Sequence, residues 1–219
     1  MLRQGTLRRS GKKTVSIHNP QIQYENLFAS KPYSRGKTPS LFALEALQVT
    51  SGQTALELGC GEGQDAIAFA QNGFTVKALD ASSTAISHAQ VLADVQNVTI
   101  NWVCGNVLTL HLWEGLYDFI FTDGFLHFFD DDTLTGIVKR MQASTQASGI
   151  NAIGVFDMRT SEIERNELAQ WGIRCDSASI IEDLYATWKV LKMEQLISER
   201  EHGEIRGITH WVFKNSEYA

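Results

Sequence analysis

The chain has 219 residues, 43% hydrophobic and 20% charged, ordinary globular usage that excludes a disordered chain and fits one large domain. Cys60, Cys104 and Cys175 form no CxxC or Cys/His cluster, so neither a metal site nor a disulfide framework is expected; no apolar run approaches the ~18 residues of a membrane span. The net charge of −6 is uneven: residues 1–40 hold eight Lys/Arg and one acid, the rest eleven Lys/Arg and twenty-four acids, and so acidic a body repels a phosphate backbone, which argues against a nucleic-acid partner.

The basic start is followed by no apolar h-region, so it does not read as a secretory signal and the expected compartment is the cytoplasm. All three prolines, Pro20, Pro32 and Pro39, lie in the first forty residues. They separate an arm, 1–37, from a continuous body, 38–219, without an internal linker or repeat. The tail from Arg3 to Lys13 reads as a solvated charge run. The aromatic part, with Tyr24, Phe28, Tyr33 and Arg35, reads either as a packed leading helix or as a lid.

Within the body, 40–47 is a short helix with Leu41, Leu44 and Leu47 on one face. Residues 54–58 are a buried strand that ends in glycines. A helix over 62–71 stops at Gly73. Strand 75–79 ends at Asp80, and Ser82 or Ser83 caps a helix carrying Ile86, Ala89, Leu92 and Ala93. Strands are expected at 98–103 and 117–121. Asp130 to Asp132 favour a helix start ahead of the Leu134, Ile137, Val138, Met141 stripe. A fifth strand covers 150–156, and 189–197 with 205–213 form an antiparallel hairpin around Gly203. The alternation predicts an α/β, doubly wound, Rossmann-like, mostly parallel seven-stranded sheet with an antiparallel C-terminal hairpin. Ligands of such sheets bind at the carboxyl ends of the strands.

The sequence ELGCGEG at 57–63 lies where the first strand turns into a helix. Gly59 and Gly61 let the backbone turn and approach a ligand, and Gly63 opens the helix. A dinucleotide fingerprint needs its third glycine at 64, which is Gln64. Glu57 at the strand end repels an anion and welcomes an ammonium group. Asp80, at the end of the second strand, is placed to accept hydrogen bonds from both hydroxyls of a ribose.

These features resemble the class I S-adenosylmethionine-dependent methyltransferases from residue 24 to the C-terminus. The resemblance rests on ALELGCGEG, TVKALDASSTAI and YDFIFTDGFLHFF. The chain looks most like the small-molecule branch typified by tellurite-resistance and thiopurine S-methyltransferase-like proteins, whose start is similar to YENLFASKPYSRGKTPSLFALEAL. The resemblance implies S-adenosyl-L-methionine as cofactor. It implies that Glu57, Gly59 and Gly61 line its methionine part, that Asp80 takes the ribose with Ala81 beside the adenine, and that Cys60, Gly63 and Val107 belong to the same cofactor site. Asn106 stands where the family usually has an acid on the adenine amino group. Thr122 and Asp123 would approach the methionine amino group; Arg35 and Lys37, near the aromatic anchors of the arm, are placed to face the cofactor carboxylate or an anionic acceptor.

Candidate bases are Asp123 and His127, with His18 and His210 as rim residues; His88, His111 and His202 read as surface residues. Cys60 and Cys104 read as buried small hydrophobes. Phe125, Phe128 and Phe129 read as core, with one member free to stack at the rim. The expected function is methyl transfer to a small, soft or anionic acceptor by a monomer or homodimer that does not engage a membrane. A nicotinamide-dependent oxidoreductase and a non-catalytic cofactor-binding domain are the alternatives.

Overall fold

The computed structural model describes residues 19–110, 113, 115–199 and 203–216. The basic tail, His18, His111 and His202 lie outside the described residues. In chain order the elements are α1 (Pro20–Ser30), α2 (Leu41–Val49), β1 (Thr54–Leu58), α3 (Gln64–Gln71), β2 (Thr75–Asp80), α4 (Ser83–Val95), β3 (Asn101–Cys104) and β4 (Tyr117–Asp123). A 3-10 turn at Leu126–Phe128 follows, then α5 (Asp131–Ala143), β5 (Thr145–Phe156), α6 (Glu162–Ala169), α7 (Ala178–Leu184), β6 (Lys189–Glu199) and β7 (Ile205–Lys214).

One seven-stranded sheet has the order β3-β2-β1-β4-β5-β7-β6. The pairs from β3 to β5 are parallel, whereas β7 runs antiparallel to both β5 and β6. This is the architecture the alternation predicts. Order reverses between β1 and β4, which puts the ligand crevice over the ends of those strands.

Period-two alternation distributes the core. Ala55, Phe119, Phe121 and Ala152 pack with α2, α3 and α4 on one face. Leu56, Leu58, Ile120 and Ile153 pack with α5 and α7 on the other. Two strand starts and one helix face differ from the sequence reading. The third strand begins only at Asn101, since Val98 still bonds back to Ala93 at the end of α4. The fifth begins at Thr145, with Ser148 at positive φ and a register shift against β4. On α2 the buried face is Phe42, Ala43 and Ala46, while Leu41 is 79% exposed.

The arm is ordered around two buried body acids and one acid of its own. Pro20 opens α1 behind an Asn19 cap. From α1, Glu25 accepts from Ser83 Oγ (3.0 Å) and from Thr84 N and Oγ1 (3.3 and 2.6 Å) at the start of α4. The Ser82 hydroxyl first, then those of Thr84 and Ser83 with the Thr84 N–H, hold its carboxyl down at about 2. Glu62 Oε1 accepts from Tyr33 N at 2.5 Å and Oε2 from Ser34 N at 3.1 Å. Asp65 accepts from Ser40 N at 2.6 Å and Ser40 Oγ at 3.1 Å. Tyr24 adds edge contacts to Phe128 and Trp171.

Candidate active site

A cavity of about 490 Å³ opens at the carboxyl ends of β1, β2 and β4 and is roofed by the arm. Its floor is the turn after β1. Gly59 N and Cys60 N both donate to Leu79 O (2.8 and 2.9 Å), and Gly61 N donates to Asp80 Oδ2 at 2.8 Å. The turn is thereby tied to the tip of β2, which sets Asp80 beside the glycines. Gly61 sits at φ 51°, and a Cβ there would meet only Phe28 Cζ at 3.8 Å, so its place is held open toward the cavity.

Arg35, Glu57, Gly59, Cys60, Gly61, Asp80, Ala81, Asn106, Val107 and Asp123 all line this cavity. So do Tyr24, Phe28 and all three of Phe125, Phe128 and Phe129. Three other expected residues are not among its lining. Gly63 supports the helix from behind: a Cβ there would lie 2.6 Å from Trp102 and 2.7 Å from Ala89. Thr122 is fully buried with its hydroxyl unpartnered among the described residues, because alternation turns it to the sheet face opposite Asp123. His127 lies in the 3-10 turn that aims Phe125 and Phe128 at the cavity and its own ring away from it. That ring is 1% exposed and stacks on Phe156 at 5.0 Å. Burial, with the charge of Arg35, lowers its pKa to about 3, so it stays neutral at neutral pH.

The electrostatics are lopsided. Among the described residues, Glu57, Glu62, Asp65, Asp80 and Asp123 line the cavity against the single cation Arg35. Glu57 is 4% exposed and its Oε2 has no partner among the described residues. Burial, reinforced by Asp65, Asp80 and Asp123, pushes its carboxyl well above the usual range. Asp65 is raised by burial to about 6. Asp80 is raised by burial too, against the pull of the Ser82 and Gly61 N–H groups. Asp123 is raised by burial and held back by Arg35 and Gly124 N–H. A carboxylate set so crowded fits a cationic ligand.

Some side chains play other parts than expected. The Asn106 oxygen caps its own loop through Leu108 N at 2.9 Å, which leaves one lone pair for a ligand. Cys104 is exposed at the end of β3, whereas Cys60 is buried. His88 is not a free surface residue: its Nδ1 lies 2.8 Å from Glu62 Oε1. Lys37 sits over the Tyr33 ring at 4.2 Å and does not line the cavity. Sequence reasoning missed Glu25, Glu62 and Asp65 as holders of the arm; the available signal was Glu62 and Asp65 at the N-terminal end of α3, whereas Glu25 lies in the middle of α1. No helix among the described residues is long and apolar enough to cross a membrane.

The family model of the tellurite resistance protein TehB matches residues 21–208. An uncharacterised methyltransferase of Synechocystis sp. is 34% identical over 110 residues, 50% of each chain. A probable S-adenosyl-L-methionine-dependent methyltransferase TehB of Haemophilus influenzae is 26% identical over 120 residues, 55% of this chain and 41% of that protein. The chain spans about half the length of the curated relatives it matches. The crystal structure of Haemophilus influenzae TehB superposes with a TM-score of 0.70 at 18% identity, covering 88% of this chain and 67% of that one. The N-methyltransferase NodS of Bradyrhizobium japonicum, in complex with S-adenosyl-l-homocysteine, gives 0.70 at 16% identity over 91% and 100%. At such identities the likeness is one of fold. The family match covers the arm from α1 onward as well as the sheet into the start of β7, so the chain belongs to the tellurite resistance protein TehB family.

Proposed function

We propose that the chain is an S-adenosylmethionine-dependent methyltransferase acting on a small, soft or anionic acceptor. The observation that carries this reading is Glu57, a buried carboxyl with a free oxygen beside a glycine turn. An unpartnered buried polar atom is costly unless a ligand completes it, and an ammonium group does so here. The names of the relatives support the same reading: one is a probable S-adenosyl-L-methionine-dependent methyltransferase, and another was solved with S-adenosyl-l-homocysteine.

When bound, the cofactor supplies an electrophilic methyl group on a positively charged sulfur. Glu57 would take its ammonium group, with Asp123 nearby. Asp80 is held by Gly61 N and by Ser82 N at 2.8 Å and keeps lone pairs for two ribose hydroxyls. Ala81, Val107 and the remaining Asn106 lone pair would receive the adenine. Tyr24, Phe28 and the Phe125–Phe129 segment would exclude water, whose oxygen competes as a nucleophile. On this reading residues 1–37 are an arm whose aromatic part is the lid of the methyltransferase domain 38–219.

Arg35 supports an anionic acceptor or the cofactor carboxylate as its counter-charge. A soft acceptor brings its own lone pair and needs little base assistance, which agrees with a His127 ring turned away. Asp123 remains the candidate base for an acceptor with a proton to lose. The test is differential binding: S-adenosylhomocysteine should raise the melting temperature and NAD should not. Equal shifts from both ligands, or none, would reject the cofactor assignment. A screen of small acceptors with methyl-labelled cofactor then identifies the acceptor.

A further inference from the structure

Asp123, Gly154, His210 and Glu194 form one cross-strand row, since Asp123 pairs with Gly154, Gly154 with His210, and His210 with Glu194. The row lies on the α2 side of the sheet and runs from the cavity wall to the outer edge strand. Gly154 is in the interior of β5 and does not adopt the left-handed conformation that would demand glycine. Glycine inside a strand costs stability and marks a close approach. Here the approach is explicit: a Cβ on Gly154 would lie 2.2 Å from Asp123 Oδ1 and 2.9 Å from His210 Cδ2. The missing side chain lets a carboxylate on β4 and an imidazole on β7 meet across β5, with His210 Nε2 3.8 Å from Asp123 Oδ1.

The imidazole is itself held. Phe42 of α2 stacks on it at 4.0 Å with the planes 13° apart, and the residue is 8% exposed. Its Nδ1 is buried with no partner among the described residues. A neutral imidazole carries one proton. Nε2 is the ring nitrogen turned toward the Asp123 carboxylate, at 3.8 Å and so beyond direct hydrogen-bond reach; a proton on Nε2 aims its dipole at that carboxylate and leaves the bare Nδ1 as the less costly unpaired atom.

We infer that His210 is a positioning residue for Asp123: in the space left by Gly154, its Nε2–H dipole lies 3.8 Å from the carboxylate and favours the ionised form at the cavity wall. The idea rests on the reading of this cavity as the cofactor site, but its central claim concerns the unliganded protein. The charged groups around the pair are few. His210 is faced by Asp123 of β4, Glu194 and Lys192 of β6 and Glu45 of α2. Asp123 is faced by Arg35 of the arm, Glu57 of β1 and Asp65 of α3. Burial keeps His210 neutral, down to about 4, so it acts on Asp123 as a donor dipole without net charge.

The experiment follows the Asp123 side-chain carboxyl by carbon-13 NMR across a pH titration of the unliganded full chain, assigned by its loss in Asp123→Asn. His210→Phe keeps a ring against Phe42 and removes the donor. It should raise the Asp123 midpoint by roughly half to one pH unit. His210→Gln, which can place an N–H near Nε2, should return it toward the wild type. Gly154→Ala is an independent second variant; its Cβ displaces the carboxylate from His210 and should also raise the midpoint. Identical midpoints in wild type, His210→Phe and Gly154→Ala would overturn the inference and leave His210 as packing for Phe42. A His210→Phe shift that Gln does not reverse would overturn it too. S-adenosylhomocysteine calorimetry on the wild type separates the two levels. Absence of binding there would sink the cofactor reading and leave the titration result standing.

Discussion

Glu62 is the body residue on which docking of the arm depends most directly. It is 3% exposed, with Oε1 accepting from Tyr33 N and Oε2 from Ser34 N. Both bonds run from consecutive arm amides to one carboxylate, and His88 Nδ1 steadies that carboxylate from α4 at 2.8 Å. Because the amides are only half-buried, the low end of the charge-assisted range applies, about 1.5 kcal/mol each, or about 3 kcal/mol across the arm–body contact. That corresponds to roughly a 10²-fold rise in the undocked population when the carboxylate is removed. Glu62→Ala is the perturbation, and native-state trypsin cleavage after Arg35 and Lys37 is the assay. Where opening is fast relative to cleavage, the rate follows the open population. Cleavage should accelerate by about that factor, and cofactor affinity should fall with it, since Phe28 and Arg35 are part of the cavity wall. Glu62→Gln keeps one acceptor oxygen and should fall between. Cleavage of Glu62→Ala at the wild-type rate would refute the latch.

Asp80→Ala should weaken cofactor binding by about 3 kcal/mol if two hydroxyl bonds at ~1.5 kcal/mol each are lost; unchanged affinity by calorimetry would remove the ribose from Asp80. Gly61→Val should strain the turn at φ 51° but leave the protein folded, because its Cβ meets no protein atom closer than 3.8 Å, and should block the cavity, as circular dichroism and cofactor titration together would register. Glu57, raised well above the usual carboxylate range, should release a proton when an ammonium group arrives, so affinity should rise with pH. Calorimetry in buffers of different ionisation heat measures that proton, and zero release would contradict the assignment. Asp65 has a native pKa of about 6 against an ordinary 3.8, so the native state favours its protonated form. Stability is therefore lost as pH rises from about 4 through about 6, by about 3 kcal/mol. The stability of Asp65→Asn relative to wild type should climb across that window and then level off, whereas a flat difference in denaturant titrations would disprove it.

What could be read from the residues was whatever depends on local pattern. Strands β1, β2 and β4, most of β5 and the hairpin announce themselves by apolar runs between glycines and acids, and the GxGxG spacing with Asp80 locates the cavity. Features that depend on tertiary placement could not be read. Phe42 rather than Leu41 faces the core because its ring packs against Phe121 and His210, which come from distant strands. His127 and Phe128 are neighbours in sequence, yet only the turn geometry decides which one reaches the cavity. Thr122 and Asp123 separate to opposite faces by simple alternation, which a reading of strand ends as point positions overlooked. The row from Asp123 to His210 joins residues 87 positions apart. Gly154 offered a faint sign of it, a glycine inside an apolar run with no turn to explain it.

The same cavity bears on the nicotinamide alternative. A dinucleotide brings a pyrophosphate to the turn after β1, where its charge needs helix N-terminal amides and no competing anion. Here the turn is followed by Gly63 packed against Trp102, then by Gln64 as the first residue of α3. The surroundings are Glu57, Asp65 and Asp123, all raised by burial because they already crowd one another or lack solvent. A doubly charged anion would drive these acids still further toward protonation, whereas a ligand bearing an ammonium and a sulfonium relieves the same repulsion. Arg35 can neutralise one negative group at the mouth of the cavity, enough for the single carboxylate of an amino-acid moiety or one anionic acceptor. The charge balance of the wall, with five acids and one cation, thus selects between two cofactors that share the same sheet and the same acid at the end of β2.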